Sequence, residues 1–168
     1  RDVVMEQVAY RESEAWKRSE RYWKGRALSL PPGPDLPLAP DAAERTGQRF
    51  RRRGTIVSAE GAQALRRQAQ TRGLTLPTLL AAVYADVLAR WSRHQHFCIT
   101  VTSFNRPDLH PAMAQVLGDY TSTILLEVDA RADRFADRAT KLARQLADDV
   151  EHSEYSGIQV MREIARQT

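Results

Sequence analysis

The chain has 168 residues, 42% of them hydrophobic and 27% charged, with a formal net charge of +4 and one cysteine. These figures suit one globular domain or part of a larger one, and exclude a wholly disordered chain and an internal disulfide framework. The charge is local: eight arginines and one glutamate lie between Arg45 and Arg72, a balance of +7 against −3 for the remainder. A single basic patch argues against nucleic acid as a partner, and it reads as a solvated strand edge or a face for an acidic protein. No apolar run approaches the roughly 20 residues that span a bilayer, so no membrane partner is expected. The N-terminus, Arg1-Asp2-Val3-Val4-Met5-Glu6, lacks the layout of a secretory signal and reads as mid-chain. A cytoplasmic protein, present here as an excised fragment, is the expectation.

Residues 2–24 read as one helix, with Val4, Val8, Trp16 and Tyr22-Trp23 as apolar anchors. It must stop near Gly25, because the stretch from Leu30 to Pro40 holds five prolines, which remove backbone donors and fix φ. Leu30, Leu36 and Leu38 within that stretch suggest a stiff strap laid over a surface. Residues 49–57 can form a strand with Phe50 and Ile56 apolar. Ser58 is then a plausible N-cap for a helix over 59–72 that ends at Gly73.

A second helix opens at Thr75 with Pro77 in its first turn, where a missing N–H costs little. Its stripe of Leu76, Leu80, Val83, Val87 and Trp91 predicts a deeply buried face. Residues 97–102 are β-branched and aromatic with almost no charge, which fits an interior strand. A loop over 103–118 leads to a second strand over 121–128. The clearest helix covers 134–152, where Phe135, Ala139, Leu142, Leu146 and Val150 recur at steps of three and four. Ser156-Gly157 breaks it, and 158–166 restarts as a short helix. Alternating strands and helices give an α/β class.

Chemistry is sparse. His94 and His96 flank a turn with no Cys or carboxylate cluster nearby, which supports a metal site poorly. Cys98 sits in the most apolar strand and reads as core. The sequence has no GxSxG, P-loop or GxGxxG. Two segments stand out. Gly118-Asp119-Tyr120-Thr121-Ser122 places a carboxylate and a hydroxyl just before a strand. Asp148-Asp149-Val150-Glu151-His152 places acids and an imidazole at a helix end whose dipole disfavours carboxylates.

Taken in order, the motifs acquire a family likeness. Leu30-Pro31-Pro32-Gly33-Pro34-Asp35-Leu36-Pro37-Leu38 resembles the Leu-Pro-x-x-Pro-x-Leu-Pro-Leu signature of heterocyclization domains of nonribosomal peptide synthetases. The helix from Thr75-Leu76-Pro77 to Trp91-Ser92 is similar to that family's helix ending in Trp-Ser. Ser103-Phe104-Asn105-Arg106-Pro107 resembles its Phe-Asn-Arg loop, and Gly118 to Ser122 its Gly-Asp-Phe-Thr motif with Tyr120 for Phe. Tyr155 to Glu163 resembles its Ser-Gly-Val-x-Val-x-Arg-Glu segment.

The resemblance implies a condensation-type fold like chloramphenicol acetyltransferase, with two α/β lobes in a V and a tunnel between them. The chain would be most of the C-terminal lobe: a helix at 1–26, a proline-rich strap at 27–46 and an α/β core at 47–168 with a mixed sheet packed by amphipathic helices. It further implies condensation of a carrier-bound acyl or peptidyl thioester with Cys, Ser or Thr, then cyclodehydration to a thiazoline or oxazoline. The chain itself would bind no cofactor, since substrates ride on the phosphopantetheine of carrier protein domains. Other partners would be the missing N-terminal lobe and an adjacent adenylation domain.

Residue by residue, the family's threonine falls on Thr121 and its helix-end aspartate on Asp149, with Glu151 where a second Asp is expected. Asp149 and Glu151 both stay open as the acid/base. Asn105 matches a loop amide that orients the intermediate. Ordinary roles remain open as well: Thr121 can simply start a strand and Asp119 can cap a turn. The family's Asp-x-x-x-x-Asp motif, which belongs to the N-terminal lobe, does not occur, so the piece alone is expected to be inactive. Two competing readings are an ordinary or degenerate condensation lobe that stops at the amide, and a noncatalytic module docking acidic carriers through Arg51–Arg53.

Overall fold

The structure, a computed structural model, describes residues 2–39, 52–106, 113, 115–131 and 134–167. Its elements run α1 (Asp2–Tyr10), α2 (Glu14–Arg26), a 3-10 turn (Ala27–Ser29), α3 (Ala59–Gln70), α4 (Leu76–Trp91), β1 (His96–Phe104), β2 (Thr121–Asp129), α5 (Phe135–Glu151) and α6 (Gly157–Gln167). The α/β class expected from the sequence is what forms. Among the described residues the sheet is the pair β1–β2. Asn105 N donates to Tyr120 O and Ala130 N to Gln95 O, so the strands run antiparallel.

The chain divides into two compact units. The first comprises Arg1–Gly33, Phe97–Val128 and Arg144–Thr168. Its core joins Trp23, Ala27, Ile124, Leu125, Tyr155 and Val160, with Trp16, Tyr22, Leu30, Val101 and Ile164 packed around it. The single long helix expected over 2–24 is two helices, α1 and α2. The break falls at residues 11–13 because Ser13 leaves helical geometry and its hydroxyl accepts from Trp16 N at 3.2 Å, an N-cap that restarts the chain. Strand β2 buries Ile124, Leu125, Leu126 and Val128. Only Phe97 of β1 is fully buried, and Thr100, Thr102 and Phe104 stand exposed. The interior strand is thus β2, not the more apolar-looking β1.

Helix α6 starts with a reciprocal capping box. Ser156 N donates to Gln159 Oε1 at 2.9 Å, and Gln159 N to Ser156 Oγ at 3.4 Å. Its first residue is a glycine in a tight place. A Cβ at Gly157 would lie 3.0 Å from Thr123 Oγ1 and 3.1 Å from Thr123 O, and a strand carbonyl cannot step aside.

The second unit comprises Pro34–His96 and Asp129–Ala143. Ser58 and Thr75 cap α3 and α4 as expected, accepting from Gly61 N and Thr78 N. Gly73 at φ 67° closes α3, with Leu74 N bonded to Ala69 O and both side chains buried, a Schellman arrangement. Helix α4 reverses the expectation. Ala82, Ala85 and Ala89 are its buried residues, while Leu80, Val83, Tyr84, Val87 and Trp91 are exposed. Small side chains let a neighbouring helix axis come close, so the alanine face is the one that packs. Arg138 of α5 pairs with Asp86 of α4.

The strand expected over 49–57 does not form at residues 52–57, where Ile56 is 96% exposed; positions 49–51 lie outside the described residues. The strap is held chiefly through its backbone and one polar side chain. In the first unit Cys98 N donates to Pro32 O at 2.8 Å; in the second, Asp35 N meets Ser92 Oγ and Asp35 O accepts from Arg93 N. Of its leucines only Leu30 packs on a core, and Leu38 is 83% exposed.

Candidate functional site

Helix α5 presents an unusual face. The stripe expected from hydropathy ended on Val150, but Val150 is half exposed and Asp149 is buried, at 0% exposure. The inward positions are Ala139, Leu142 and Asp149, a helical progression that hydropathy alone would not finish with a carboxylate. A carboxylate at a helix C-terminus faces the negative end of the dipole as well as a desolvation cost, so something must hold it.

Three donors converge on its Oδ1. The Tyr22 hydroxyl lies at 2.7 Å, Arg26 Nη1 at 2.5 Å and Gln145 Nε2 at 2.9 Å. These side chains are interlocked, because Arg26 Nη1 and Gln145 Nε2 also donate to the Tyr22 hydroxyl, at 2.6 and 3.0 Å. Arg26 uses its other nitrogen on Glu127 of β2, Nη2 to Oε2 at 2.9 Å. The Tyr22 ring stacks on His152, with centroids 4.0 Å apart, and Trp23 Nε1 donates to His152 O. Asp149 Oδ2 is buried with no hydrogen-bond partner among the described residues.

Burial is the largest influence on Asp149 and raises its pKa above the usual carboxylate range, although Tyr22, Arg26 and Gln145 all pull the other way. Tyr22 is pushed up to about 12 by its own burial and by Asp149. Half-buried Cys98 rises to about 12, chiefly through desolvation and then the charge of Glu127. An inert thiol in the strand agrees with the core reading of that residue.

The other sequence candidates are placed differently. Asn105 joins two motifs: its N–H bonds Tyr120 O, and its side-chain Nδ2 donates to Ser153 O at 3.2 Å, just past the end of α5. Thr121 is exposed at the start of β2, and its N–H donates to Asp119 Oδ1 at 2.8 Å. Asp119 therefore does cap a turn, and that bonding lowers its pKa. Glu151 is exposed, with no hydrogen bond or ion pair to a described residue. Tyr120 is buried, with Arg106 over its ring at 4.4 Å and its hydroxyl on Met113 Sδ.

A groove of about 670 Å³ in the first unit is lined by Asn105 together with Tyr10, Trp16, Lys24, Tyr155 and Arg162 among others. Asn105 is the one sequence candidate that lines it. Sequence reasoning missed Tyr22, Arg26, Gln145 and Glu127. A signal existed for three of them: Tyr22 with Arg26 and Gln145 with Asp149 are i, i+4 pairs, each on one helix face.

No group of three His, Cys, Asp or Glu side chains able to hold a metal ion occurs among the described residues, and no helix there is long and apolar enough to cross a membrane. Of the basic patch, Arg45, Arg49 and Arg51 lie outside the described residues, while Arg52, Arg53, Arg66, Arg67 and Arg72 are exposed. His110 also lies outside.

Comparison with known proteins gives consistent relatives. Pyochelin synthetase PchF of Pseudomonas aeruginosa is 40% identical over 167 residues, 99% of this chain and 9% of that protein. Phenyloxazoline synthase MbtB of a Mycobacterium species is 37% identical over 147 residues, 87% of this chain and 13% of that protein. This chain thus spans about a tenth of the length of these curated relatives. Among solved structures, the EpoB cyclization-docking bidomain of the nonribosomal peptide synthetase from Sorangium cellulosum superposes with a TM-score of 0.83 at 34% identity, covering 98% of this chain and 34% of that one. The Condensation domain family matches residues 1–168 in full. With that match over a chain whose ordered motifs and α/β fold already resemble heterocyclization domains, this protein belongs to the condensation-domain family of nonribosomal peptide synthetases.

Proposed function

We propose that this chain is the C-terminal-lobe portion of a heterocyclization domain. It would act on a carrier-bound acyl or peptidyl thioester and a carrier-bound Cys, Ser or Thr, each held on phosphopantetheine. After amide formation, the side-chain oxygen or sulfur attacks the new amide carbonyl carbon. That attack closes a five-membered ring carrying a hydroxyl, which then leaves with the ring nitrogen's proton as water while the C=N bond of the oxazoline or thiazoline forms. Carrier domains, an adenylation domain and an N-terminal lobe are the partners this reading requires.

One observation carries it. Asp149 is a buried carboxylate with one oxygen saturated by donors and the other without a partner among the described residues, and burial raises its pKa. In this role Asp149 takes the proton of the attacking side chain and passes it to the carbonyl oxygen, then takes the ring nitrogen's proton and passes it to the departing hydroxyl, so water leaves and the carboxylate is regenerated. Glu151, exposed and unheld, lacks the features that tune Asp149. Thr121 would orient the leaving water, and Asn105, at the groove wall, the intermediate. Substrate contact requires Oδ2 to be uncovered when the ligand binds.

The full burial of Asp149 favours a second reading, in which its pairing with Arg26 only braces the lobe and the domain stops at the amide. One experiment separates them. In the whole synthetase with loaded carriers, Asp149→Asn is expected to lower cyclised product by about 10²–10⁴-fold. The open amide, one water heavier, then accumulates and is read by mass spectrometry of released product. Cyclised product at the unmodified rate would leave Asp149 a bracing role only, and open amide alone from the unmodified synthetase would show a domain that stops at the amide.

A further inference from the structure

We propose that Arg26 and Tyr22 of α2 are positioning residues for the cyclodehydration step, fixing Oδ1 of Asp149 so that Oδ2 alone exchanges protons with substrate. This rests on the acid/base role given to Asp149 above. The geometry is asymmetric in a way a simple structural ion pair does not need. All three donors, Tyr22 Oη, Arg26 Nη1 and Gln145 Nε2, meet the same oxygen, and the other, equally buried, has no partner among the described residues. Bidentate pairing would be the stronger arrangement if holding the helix were the whole purpose. Arg26 instead spends its second nitrogen on Glu127.

The groups around Asp149 are few enough to name. Helix α2 contributes Tyr22 and Arg26, β2 contributes Glu127, and Cys98 of β1 lies within electrostatic reach. On α5 itself Asp148 and Glu151 face solvent, while His152 stacks on Tyr22 rather than bonding the carboxylate. Among the described residues Arg26 is the one cation bonded to it. Without that charge the buried carboxyl holds its proton to higher pH and is a poorer base at neutrality.

The test measures the ratio of cyclised to open product against pH in the full synthetase. For Arg26→Gln the ratio is expected to fall about ten-fold at neutral pH and to recover as pH rises, its acid limb displaced upward by about one pH unit or more. Arg26→Lys, which keeps the charge without the fork, should return the limb toward its original position. Tyr22→Phe, which removes one donor, should lower the ratio by about five-fold. Profiles superimposable on the unmodified enzyme, or an equal loss at every pH, would overturn the proposal. Should Arg26→Gln fail to fold, Tyr22→Phe decides it: its loss should be larger at low pH than at high pH, and an unchanged ratio or an equal loss at every pH would overturn the proposal. Asp149→Asn separates the two levels. If it leaves cyclisation intact, the underlying reading fails; if it abolishes cyclisation while the Arg26 and Tyr22 profiles stay put, only the positioning role fails.

Discussion

Asp149 and Asp129 both carry an arginine partner, yet their carboxyl groups are driven in opposite directions. Asp129, just after β2 begins to leave its partner, is gripped by Arg131 through both oxygens at 2.8 Å and remains substantially exposed. That bonding holds its pKa well below the ordinary range. Asp149 has a closer arginine and two further donors, and its pKa still rises because burial penalises the charged form. The lesson is that solvent, rather than the number of partners, sets the sign. An exposed pair gains from the partner and loses almost nothing to desolvation, whereas a buried pair must first offset the loss of hydration.

That contrast can be broken from either side. The largest effect is expected for Arg26→Met, which leaves Asp149 buried and uncompensated. A loss of about 3–5 kcal/mol of folding stability should appear in denaturant unfolding. Tyr22→Phe should cost about 1.5–3 kcal/mol, the usual worth of a hydrogen bond to a charged group. Arg131→Gln removes an equally well-formed but solvated pair, and should change stability by less than about 1 kcal/mol. A loss for Arg131→Gln as large as that for Arg26→Met would show that burial is not what separates the two sites.

The pH dependence has a definite sign at each site. A depressed carboxyl stabilises the fold above its unfolded pKa and loses that contribution as pH falls. The stability gap between the unmodified chain and Asp129→Asn should therefore narrow below about pH 4. Tyr22 is the opposite case, an acid whose folded pKa is raised. Its contribution is complete below about pH 10 and is lost as pH rises toward 12, so Tyr22→Phe should match the unmodified chain in strong alkali if both remain folded. The smallest perturbation concerns Cys98. With its thiol pushed up to about 12, labelling by a disulfide reagent at pH 8 should be slow in the folded chain and fast after unfolding.

Much of the local architecture was legible in the residues. Ser58 and Thr75 announce helix starts because a side-chain oxygen there satisfies an orphan N–H, and Gly73 announces an end because it alone tolerates φ 67°. The α5 periodicity was sound to within one position. What hydropathy could not supply was the identity of the buried face where packing or polarity overrides it. On α4 it ranked Leu80, Val83, Val87 and Trp91 as core, while within the described residues the alanines between them are the buried ones. On α5 it chose Val150 over Asp149, because no scale scores a carboxylate as interior until its donors are known. Those donors sit more than 100 positions away, on Tyr22 and Arg26, and only the fold brings them together. The break after Tyr10 was missed for the same reason that Ser13 looked unremarkable: one hydroxyl among many charged neighbours.

The close approach of Gly157 to Thr123 has a consequence for inheritance as well as packing. With a strand carbonyl 3.1 Å from where a Cβ would lie, all nineteen other amino acids meet the same obstacle at their first carbon, so chemistry further out along the side chain cannot rescue them. In a saturation library screened for folded protein, position 157 should therefore strongly favour glycine, with alanine the best tolerated replacement. Its neighbour Ile158, half exposed, should drift freely among residues of similar bulk. A codon that favours one letter beside one that admits many is how a shortfall of a few tenths of an ångström becomes visible to selection.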